Sequence, residues 1–277
     1  MTKAKLAYAI WPWGLKEEAQ MIQGMEDIKA VGFRYFESVA TAVDMFKGRT
    51  KEFKAIMDKH QVYPVSFYFW NRGDSEKDVR TVQEALDFLA ANNIHSISVQ
   101  ATGKKGGATP EELQAELKTL QRIGAVCKPY GIMPCLHPHA NTRVMFENEV
   151  DFMMQNTDPA CVFFGPDTAH LTVGHCNAVE IFDRYAQRIK FVHLKDVKKN
   201  KPAAGDGGQK QGFEIYSSFL EMGEGDVDFT AIFKILDRVA FDGYLTIELD
   251  KSRFGNKESA VMNMKFMKAH GFAQDEK

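Results

Sequence analysis

Cysteine is scarce in this sequence of 277 residues, which has four and no Cys-x-x-Cys pair. Secreted domains stabilised by disulfides and small zinc-binding domains need cysteines at close, repeated spacings, so neither class fits. Two of the four stand inside apolar runs. We therefore interpret the cysteines as reduced core thiols of a cytoplasmic protein. They are Cys127, Cys135, Cys161 and Cys176.

The chain also lacks an excess of one charge and a long hydrophobic run. Its 35 Lys and Arg residues nearly balance 37 Asp and Glu residues, and the basic ones are scattered. Such a surface does not attract a phosphate polymer or an anionic membrane, so we predict no nucleic-acid and no membrane partner. The first apolar run ends at Trp11-Pro12-Trp13-Gly14, and it is too short for a signal-peptide core or a membrane span.

The sequence does contain a regular alternation of short apolar runs with longer segments of helical periodicity. The predicted strands are Leu6 to Ile10, Tyr35 to Glu37, Val62 to Tyr68, Ser96 to Gln100, Met133 to His137, Val162 to Asp167, Phe191 to Leu194 and Leu245 to Glu248. The predicted helices are Glu17 to Val31, Lys51 to Lys59, Glu76 to Asn92, Pro110 to Tyr130, Asn148 to Gln155, Asn177 to Gln187, Phe229 to Val239 and Lys257 to His270.

This repeat predicts an α/β fold. No Gly-x-Gly-x-x-Gly loop follows the first strand, so the βα units favour a closed (β/α)₈ TIM barrel over an open, doubly wound sheet, which is the alternative. We predict a single domain over residues 1–277. The long irregular segment 197–228 follows the seventh strand, and it is interpreted as a lid over the site or as a solvated insertion.

Two kinds of residue mark the predicted helix ends. Thr109 is a plausible N-cap, because Pro110 occupies the first helical position and two glutamates follow it. Gly32, Gly131 and Gly243 each stand just before a predicted strand, where a glycine in the left-handed conformation ends many helices.

Side chains that can bind a metal stand at the ends of four successive predicted strands. In a TIM barrel these ends meet at one mouth, where active sites lie. Imidazole nitrogens and carboxylate oxygens together suit Mn²⁺, Co²⁺, Fe²⁺, Zn²⁺ or Mg²⁺. A lone histidine there is more often a satisfied core residue. Because four candidates coincide, we predict a metal site formed by His137, Asp167, His193 and Glu248.

Two more histidines flank these candidate ligands. His139 is separated from His137 by a proline, which favours substrate contact over metal ligation or a supporting role. His170 stands three residues after Asp167. It is interpreted as an acid/base group aimed into the pocket or, alternatively, as a cap of the next helix.

A lysine and a glutamate complete the polar candidates. Lys195 lies two residues beyond His193, so in an extended strand it points to the same side. There it would act as an acid/base group and stabilise a developing enolate oxygen, or else pair with Asp196 at the rim. Glu37 ends the second strand and is predicted to orient a substrate hydroxyl.

Aromatic residues end the first and third predicted strands. Flat apolar rings opposite a metal form a common wall for the C–H faces of a polyol. Core packing or a subunit contact is the alternative for each ring. We predict that three residues of these segments bind substrate, namely Trp11, Trp70 and Arg72.

Several of these segments together resemble the xylose-isomerase-like TIM-barrel superfamily of sugar isomerases and epimerases. They are Gly32-Phe33-Arg34-Tyr35-Phe36-Glu37, Asp167-Thr168-Ala169-His170, Phe191-Val192-His193-Leu194-Lys195-Asp196, Met222-Gly223-Glu224-Gly225-Asp226-Val227-Asp228-Phe229 and Gly243-Tyr244-Leu245-Thr246-Ile247-Glu248. Tyr130-Gly131 followed by His137-Pro138-His139-Ala140-Asn141-Thr142 is most similar to the inosose dehydratase (2-keto-myo-inositol dehydratase) branch.

The resemblance implies a divalent metal, typically Mn²⁺ or Co²⁺, and a small keto-sugar or keto-cyclitol substrate. It favours loss of water as the reaction, with an aldose–ketose isomerase or keto-sugar epimerase as the alternative. Ketose 3-epimerases carry glutamate where His137 stands, and a metal-bound imidazole cannot replace that carboxylate as a base. A sugar-binding barrel without turnover is the non-enzymatic alternative. The resemblance also implies a homo-oligomer, either a dimer or a tetramer.

Overall fold

The structure, a computed structural model, describes residues 3–198 and 219–272. Its main sheet has eight parallel strands in the order β6-β5-β4-β3-β2-β1-β10-β7. Backbone bridges from Phe164 to Ile189 and from Asp167 to His193 join the two edge strands, so the sheet is a nearly closed barrel. The predicted (β/α)₈ barrel is thereby confirmed over the open sheet. The strands are β1 (Lys5–Ala9), β2 (Tyr35–Val39), β3 (Tyr63–Trp70), β4 (Ser96–Gln100), β5 (Met133–His137), β6 (Phe163–Phe164), β7 (Phe191–Leu194) and β10 (Tyr244–Ile247).

Helices surround the barrel. The helix Phe229–Arg238, for example, buries Phe229, Ile232 and Leu236, and one such side chain contributes about 1.5–3 kcal/mol. In the described ranges, no helix combines the length and apolarity needed to cross a membrane. The helices are α1 (Glu18–Val31), α2 (Ala40–Met45), α3 (Thr50–His60), α4 (Ser75–Ala91), α5 (Pro110–Cys127), α6 (Glu147–Asn156), α7 (Thr168–Val173), α8 (Ala178–Arg184), α9 (Phe229–Arg238) and α10 (Asn256–Ala269).

A short antiparallel ribbon pairs the start of the predicted segment 197–228 with a strand in its second half. Strand β8 (Asp196–Val197) pairs with β9 (Phe219–Leu220). Residues 199–218 lie outside the described residues, so the role of this segment as a lid stays a prediction. The single-domain assignment over residues 1–277 also stays a prediction.

The capping signals have different outcomes. Thr109 accepts the N–H of Glu112 at 3.3 Å in a capping box, as predicted. Gly32 and Gly131 have φ of 112° and 65° after their helices, which also confirms their prediction. Both angles lie in the left-handed region that favours glycine.

The prediction for Gly243 is wrong. Helix α9 already ends at Arg238, and Gly243 does not have a positive φ. A Cβ atom here would lie 2.6 Å from the carbonyl oxygen of Lys190 and 2.6 Å from the Phe241 ring. The glycine is therefore required by close packing at the entrance of β10 and not by a helix end.

The four cysteines are free. Burial raises the pKa of the Cys127 and Cys176 thiols to about 12, so both stay protonated and unreactive near neutral pH. Cys135 is buried as well, as predicted. The core placement is wrong for Cys161, which is only half-buried, because it lies in the turn before β6 with its Sγ 3.2 Å from Asp158 Oδ2.

Replacement of Gly124 by alanine should test the close packing of α5 against the β6 entrance. The new Cβ would lie 2.9 Å from the Cys161 carbonyl oxygen. We expect the free energy of unfolding to fall by about 1–2 kcal/mol, since overpacking outweighs the better helix propensity of alanine. Urea denaturation measures the change. Gly24→Ala in α1, whose Cβ would find no atom closer than 3.3 Å, is the control and should be nearly neutral; equal losses would contradict the prediction.

Candidate metal centre and active site

The four predicted ligands converge at the mouth of the barrel. His137 ends β5, Asp167 is the N-cap of α7, His193 lies in β7 and Glu248 follows β10. All four are buried, and each offers a donor atom within 4.8 Å of the others. The strand ends therefore bring together the set that the sequence predicted.

The chemistry of these donors fits a divalent cation. Among the described residues, His137 Nε2, Asp167 Oδ2 and Glu248 Oε2 are buried and have no hydrogen-bond partner. An unsatisfied buried polar atom is costly, and a bound cation would remove that cost for the carboxylate oxygens in particular. Two imidazoles with two carboxylates suit Mn²⁺, Co²⁺, Fe²⁺ or Zn²⁺. The residues present are thus able to hold the ion that the family resemblance implies.

Glu37 lies deep in the barrel and supports one of the ligands. It is fully buried, accepts a hydrogen bond from His193 Nε2 and accepts the Ser98 hydroxyl at 2.7 Å. Such a carboxylate fixes the orientation and tautomer of a ligating imidazole. Burial opposes the charge on His193, but the Glu37 and Glu248 carboxylates outweigh it and raise the His193 pKa to about 9. The predicted contact of Glu37 with substrate stays a prediction.

Lys195 is the central cation of the site. Its Nζ is fully buried and donates to Glu248 Oε1 at 2.5 Å and to Asp250 Oδ2 at 3.0 Å, with His170 Nε2 at 3.2 Å. Burial disfavours its charge, yet the carboxylates of Asp167, Asp250 and Glu248 raise its pKa above the usual range. The side chain is therefore an ammonium that faces the candidate metal ligands.

The alternative partner for Lys195, the carboxylate of Asp196, has another role. It accepts backbone N–H groups from both sides of the β8–β9 ribbon, at 2.8–3.2 Å, and so holds the turn after β9. The predicted rim pair between Lys195 and Asp196 is therefore wrong. The donors are the N–H groups of Val197, Gly223, Gly225 and Val227.

His170 and His139 lie in contact beside Lys195, with ring centroids 3.7 Å apart and ring planes tilted by 37°. Burial is the main cause that lowers both pKa values, to about 4 for His139, so both rings are neutral near pH 7. The N-cap of α7 is Asp167, whose carboxylate accepts the His170 N–H at 2.6 Å, so the capping alternative for the His170 side chain is wrong. His139, His137 and His170 also offer donor atoms within 4.8 Å of one another, so these three residues form a further group that could hold a metal.

An aromatic wall borders the ligands. The Trp11 ring lies 6.3 Å from the His193 ring and 5.7 Å from Tyr68. Trp70 packs on Tyr68 at 5.5 Å, and the exposed Arg72 guanidinium lies over Trp70 at 5.9 Å. Trp11 is thus next to His193, one of the candidate ligands, whereas Trp70 and Arg72 are progressively farther out. Their predicted contacts with substrate stay predictions.

Two residues of the site were not predicted. The Tyr68 ring lies 5.1 Å from His137, and its hydroxyl donates to Gln100 at 2.7 Å. Asp250 contacts Lys195 as described above. Both carry a signal that alternation along a strand could have revealed. Tyr68 stands two residues after the inward-facing Ser66, and Asp250 stands two residues after Glu248.

A second polar network joins the loops that follow β9 and β10. The buried Glu221 accepts Arg253 Nε at 3.0 Å and the Ser259 hydroxyl at 2.7 Å. Burial opposes the charge of Glu221, but these bonds outweigh it and lower its pKa. The network thereby anchors the loop that begins at Asp250.

Glu221→Gln should show this anchor as a pH-dependent loss of stability. A lowered native pKa means that the wild-type carboxylate contributes above its unfolded pKa and loses this contribution as the pH falls through the native value. With Arg253 half-exposed, we expect a loss of about 1–2 kcal/mol at pH 7 that shrinks below about pH 4. Urea melts at several pH values measure it, with Glu224→Gln as the control. A constant difference across pH would contradict the prediction.

Proteins of known function share part of this sequence. The chain is 34% identical over 144 residues to an inosose dehydratase of Clostridium perfringens, over 51% of this chain and 48% of that protein. It is 28% identical over 180 residues to the inosose dehydratase of Bacillus licheniformis, over 64% of this chain and 58% of that protein. The matched segments therefore span about half the length of these relatives.

Solved structures extend the likeness of fold over nearly the whole chain. The IOLI protein with a bound zinc atom has a TM-score of 0.77 at 14% identity, with 98% of this chain and 100% of that chain covered. The D-allulose 3-epimerase of Methylomonas sp. has a TM-score of 0.75 at 16% identity, with 97% and 98% covered. The probable 3-DHS dehydratase AsbF of Bacillus anthracis has 0.74 at 14%, with 95% and 98% covered.

A family match completes the comparison. The family described as the xylose isomerase-like TIM barrel matches residues 25–270, which include every strand-end residue of the cluster described above. The resemblance drawn from the sequence motifs is thereby confirmed. The chain belongs to the xylose isomerase-like TIM-barrel family.

Proposed function

We propose that this chain is a divalent-metal-dependent enzyme that removes water from a keto-polyol of the inosose kind. The observation that carries the proposal is the contact between the candidate metal ligands and a pair of candidate acid/base side chains. The buried cluster with unpartnered ligand atoms adjoins the buried pair of Lys195 Nζ and His170 Nε2, which are 3.2 Å apart. The inosose dehydratase relatives at about 30% identity support the same reaction.

The ion would be held by His137, Asp167, His193 and Glu248, and when bound it supplies a Lewis acid that polarises a substrate carbonyl. Mn²⁺ or Co²⁺ is proposed, and Zn²⁺, Fe²⁺ or Mg²⁺ would also fit such donors. Glu37 keeps the His193 ring in one orientation. Trp11 and Tyr68 exclude water from this side of the mouth, which strengthens the electrostatic interactions inside.

Elimination needs one group that takes a proton and one that gives a proton. The neutral His170 ring is suited to take the proton on the carbon next to the carbonyl, and the Lys195 ammonium to donate a proton to the β-hydroxyl. The C–H electron pair then forms the new C=C bond as the C–O bond breaks and water leaves. His139 and Glu37 are proposed to orient the remaining hydroxyls, with Trp70 and Arg72 at the outer rim.

His137 argues for dehydration over two-base epimerisation. Its imidazole stands at a ligand position where the alternative mechanism needs a second carboxylate base. The proposed acid and base, Lys195 and His170, are in contact with each other at 3.2 Å, and Asp250 contacts Lys195 at 3.0 Å. A one-sided arrangement of acid and base fits loss of a proton and a hydroxyl, and does not fit proton return to the opposite face.

Incubation of the Mn²⁺-loaded protein with 2-keto-myo-inositol in deuterated water tests the proposal. We expect a product lighter by one water with a near-ultraviolet band of a conjugated enol-dione. A product of unchanged formula that carries solvent deuterium would instead indicate an isomerase or epimerase, and it would overturn dehydration. Protein that binds keto-sugars without turnover would overturn the enzymatic proposal. Protein treated with a chelator is the matched control. Cytoplasmic location and a dimeric or tetrameric state stay predictions.

A further inference from the structure

The ammonium of Lys195 occupies a position that has the donor set of a cation site. His170, Glu248 and Asp250 each offer a donor atom within 4.8 Å of the others. These donors surround Nζ, at 3.2 Å for His170 Nε2, 2.5 Å for Glu248 Oε1 and 3.0 Å for Asp250 Oδ2. One nitrogen and two carboxylate oxygens around a single point are typical ligands of a divalent metal.

The rest of the chain fixes the ammonium at this point. Its side chain is fully buried, and the Phe219 ring lies 4.4 Å from Nζ. Thr168 Oγ1 accepts the Lys195 N–H at 2.9 Å and donates to the Lys195 carbonyl at 2.6 Å. These two hydrogen bonds fix the position of the Lys195 backbone. Asp167 Oδ2, which has no hydrogen-bond partner, lies 3.6 Å from Nζ and adds a further unsatisfied oxygen on the same side.

The negative charge of the surrounding carboxylates explains why a cation is needed at the position of Lys195 Nζ. The carboxylates of Asp167, Glu248 and Asp250 all lie within 4.0 Å of Nζ. Buried carboxylates without a counter-charge are strongly destabilising. The first ion, at His137, Asp167, His193 and Glu248, would neutralise part of this charge, but Asp250 is not a member of that set. The Lys195 ammonium therefore neutralises the negative charge of Asp250 and of Glu248 Oε1, the oxygen to which its Nζ donates.

We propose that Lys195 is a tethered cation in what would otherwise be a second divalent-metal site, formed by His170, Glu248 and Asp250. Removing its side chain then opens that site to a metal ion. The inference rests on the proposed function because Glu248 belongs to both ligand sets. The centre would then hold one exchangeable metal ion and one permanent positive charge. Because the permanent charge belongs to the chain, it is present whatever the metal supply.

Counting Mn²⁺ ions per chain tests this proposal. Wild type, Lys195→Ala and Lys195→Met are loaded with Mn²⁺, passed through a desalting column and measured by mass spectrometry. We expect Lys195→Ala to hold one ion more than the wild type. Lys195→Met is the matched control, because its side chain fills the same volume without charge, and it should hold the wild-type number. Adding Asp250→Asn to Lys195→Ala should remove the extra ion.

Electron paramagnetic resonance of the same samples supplies a second readout. Two Mn²⁺ ions that share Glu248 should show an exchange-coupled spectrum in Lys195→Ala, and the wild type should show the spectrum of an isolated ion. Equal ion counts in Lys195→Ala and wild type would overturn the inference and leave the proposed function intact. A wild type without any ion would overturn the proposed function, and the gain in Lys195→Ala would still decide the inference.

Folding of the alanine variant is part of the test. Should Lys195→Ala be unfolded in chelator, it is refolded with Mn²⁺ and the ions are counted in the folded fraction. Two ions support the proposal and one ion overturns it. A chain that folds neither with nor without Mn²⁺ also overturns it, because a divalent ion in the vacated position would restore the lost positive charge.

Discussion

A chain with His137→Ala and His193→Ala together is expected to lose its divalent cation, whereas the wild type holds about one ion per chain. Replacement of only a partner of a metal ligand costs about 10–100-fold in affinity, so loss of two ligands costs more. Both rings are buried and reach the same cluster, and alanine supplies no donor atom. Mass spectrometry of the metal content, after loading with Mn²⁺ or Co²⁺, measures the effect.

The control for this variant removes two histidines that lie away from the mouth. His95 and His270 are exposed, and the double alanine variant at these positions should keep the wild-type ion. Thermal unfolding with and without Mn²⁺ separates loss of the ion from loss of the fold, since an ion that binds only the native state raises the melting temperature. If the variant with His137→Ala and His193→Ala retained one ion per chain, this result would contradict the assignment of these two histidines as ligands.

The barrel could be predicted from the sequence because each βα unit has its own short, local pattern of apolar residues. The bounds of β4, β5 and β7 agree with the prediction, while β6 is shorter than expected. The next two residues still bond to the neighbouring strands, through the Gly165 N–H to the Leu136 carbonyl and the His193 N–H to the Pro166 carbonyl. Asp167 then makes an isolated bridge before it caps α7. The six-residue helices α2 and α7 were missed because they are too short for a full apolar period.

The convergence of the four candidate ligands could also be predicted, since the strand ends of a barrel meet at one mouth whatever the loops do. Contacts across the barrel could not be predicted from the sequence. Glu37 and His193 are 156 residues apart in the chain, and no local pattern says that one carboxylate will sit under one imidazole. The pairing of Lys195 with Asp250, and not with its neighbour Asp196, depends on the bend after β7. The Asp196 carboxylate instead accepts backbone N–H groups from a loop 27 to 31 residues farther along the chain.

The second large effect is expected for Lys195→Met, which should lower kcat by about 10²–10⁴-fold, the usual contribution of a positioned acid/base group. Methionine keeps the length and the apolar stem of the side chain but offers no proton and no charge. Because Lys195 is proposed to donate a proton to the leaving hydroxyl and not to bind the ground state, KM should change much less than kcat. Steady-state kinetics with the keto-inositol substrate measure both constants.

Stability and metal content must be measured on the same variant. Loss of the ammonium leaves Glu248 and Asp250 without a buried partner, so we expect the free energy of unfolding in chelator to fall by about 3–5 kcal/mol. Lys198→Met is the control, because Lys198 is exposed and its partners among the described residues are Asp226 at 3.2 Å and the Gly225 carbonyl at 3.5 Å. A folded, metal-loaded Lys195→Met enzyme with wild-type kcat would show that its ammonium takes no part in the chemistry. A loss confined to kcat with the ion in place would instead assign the proton transfer to this side chain, because neither the fold nor the Lewis acid would have changed.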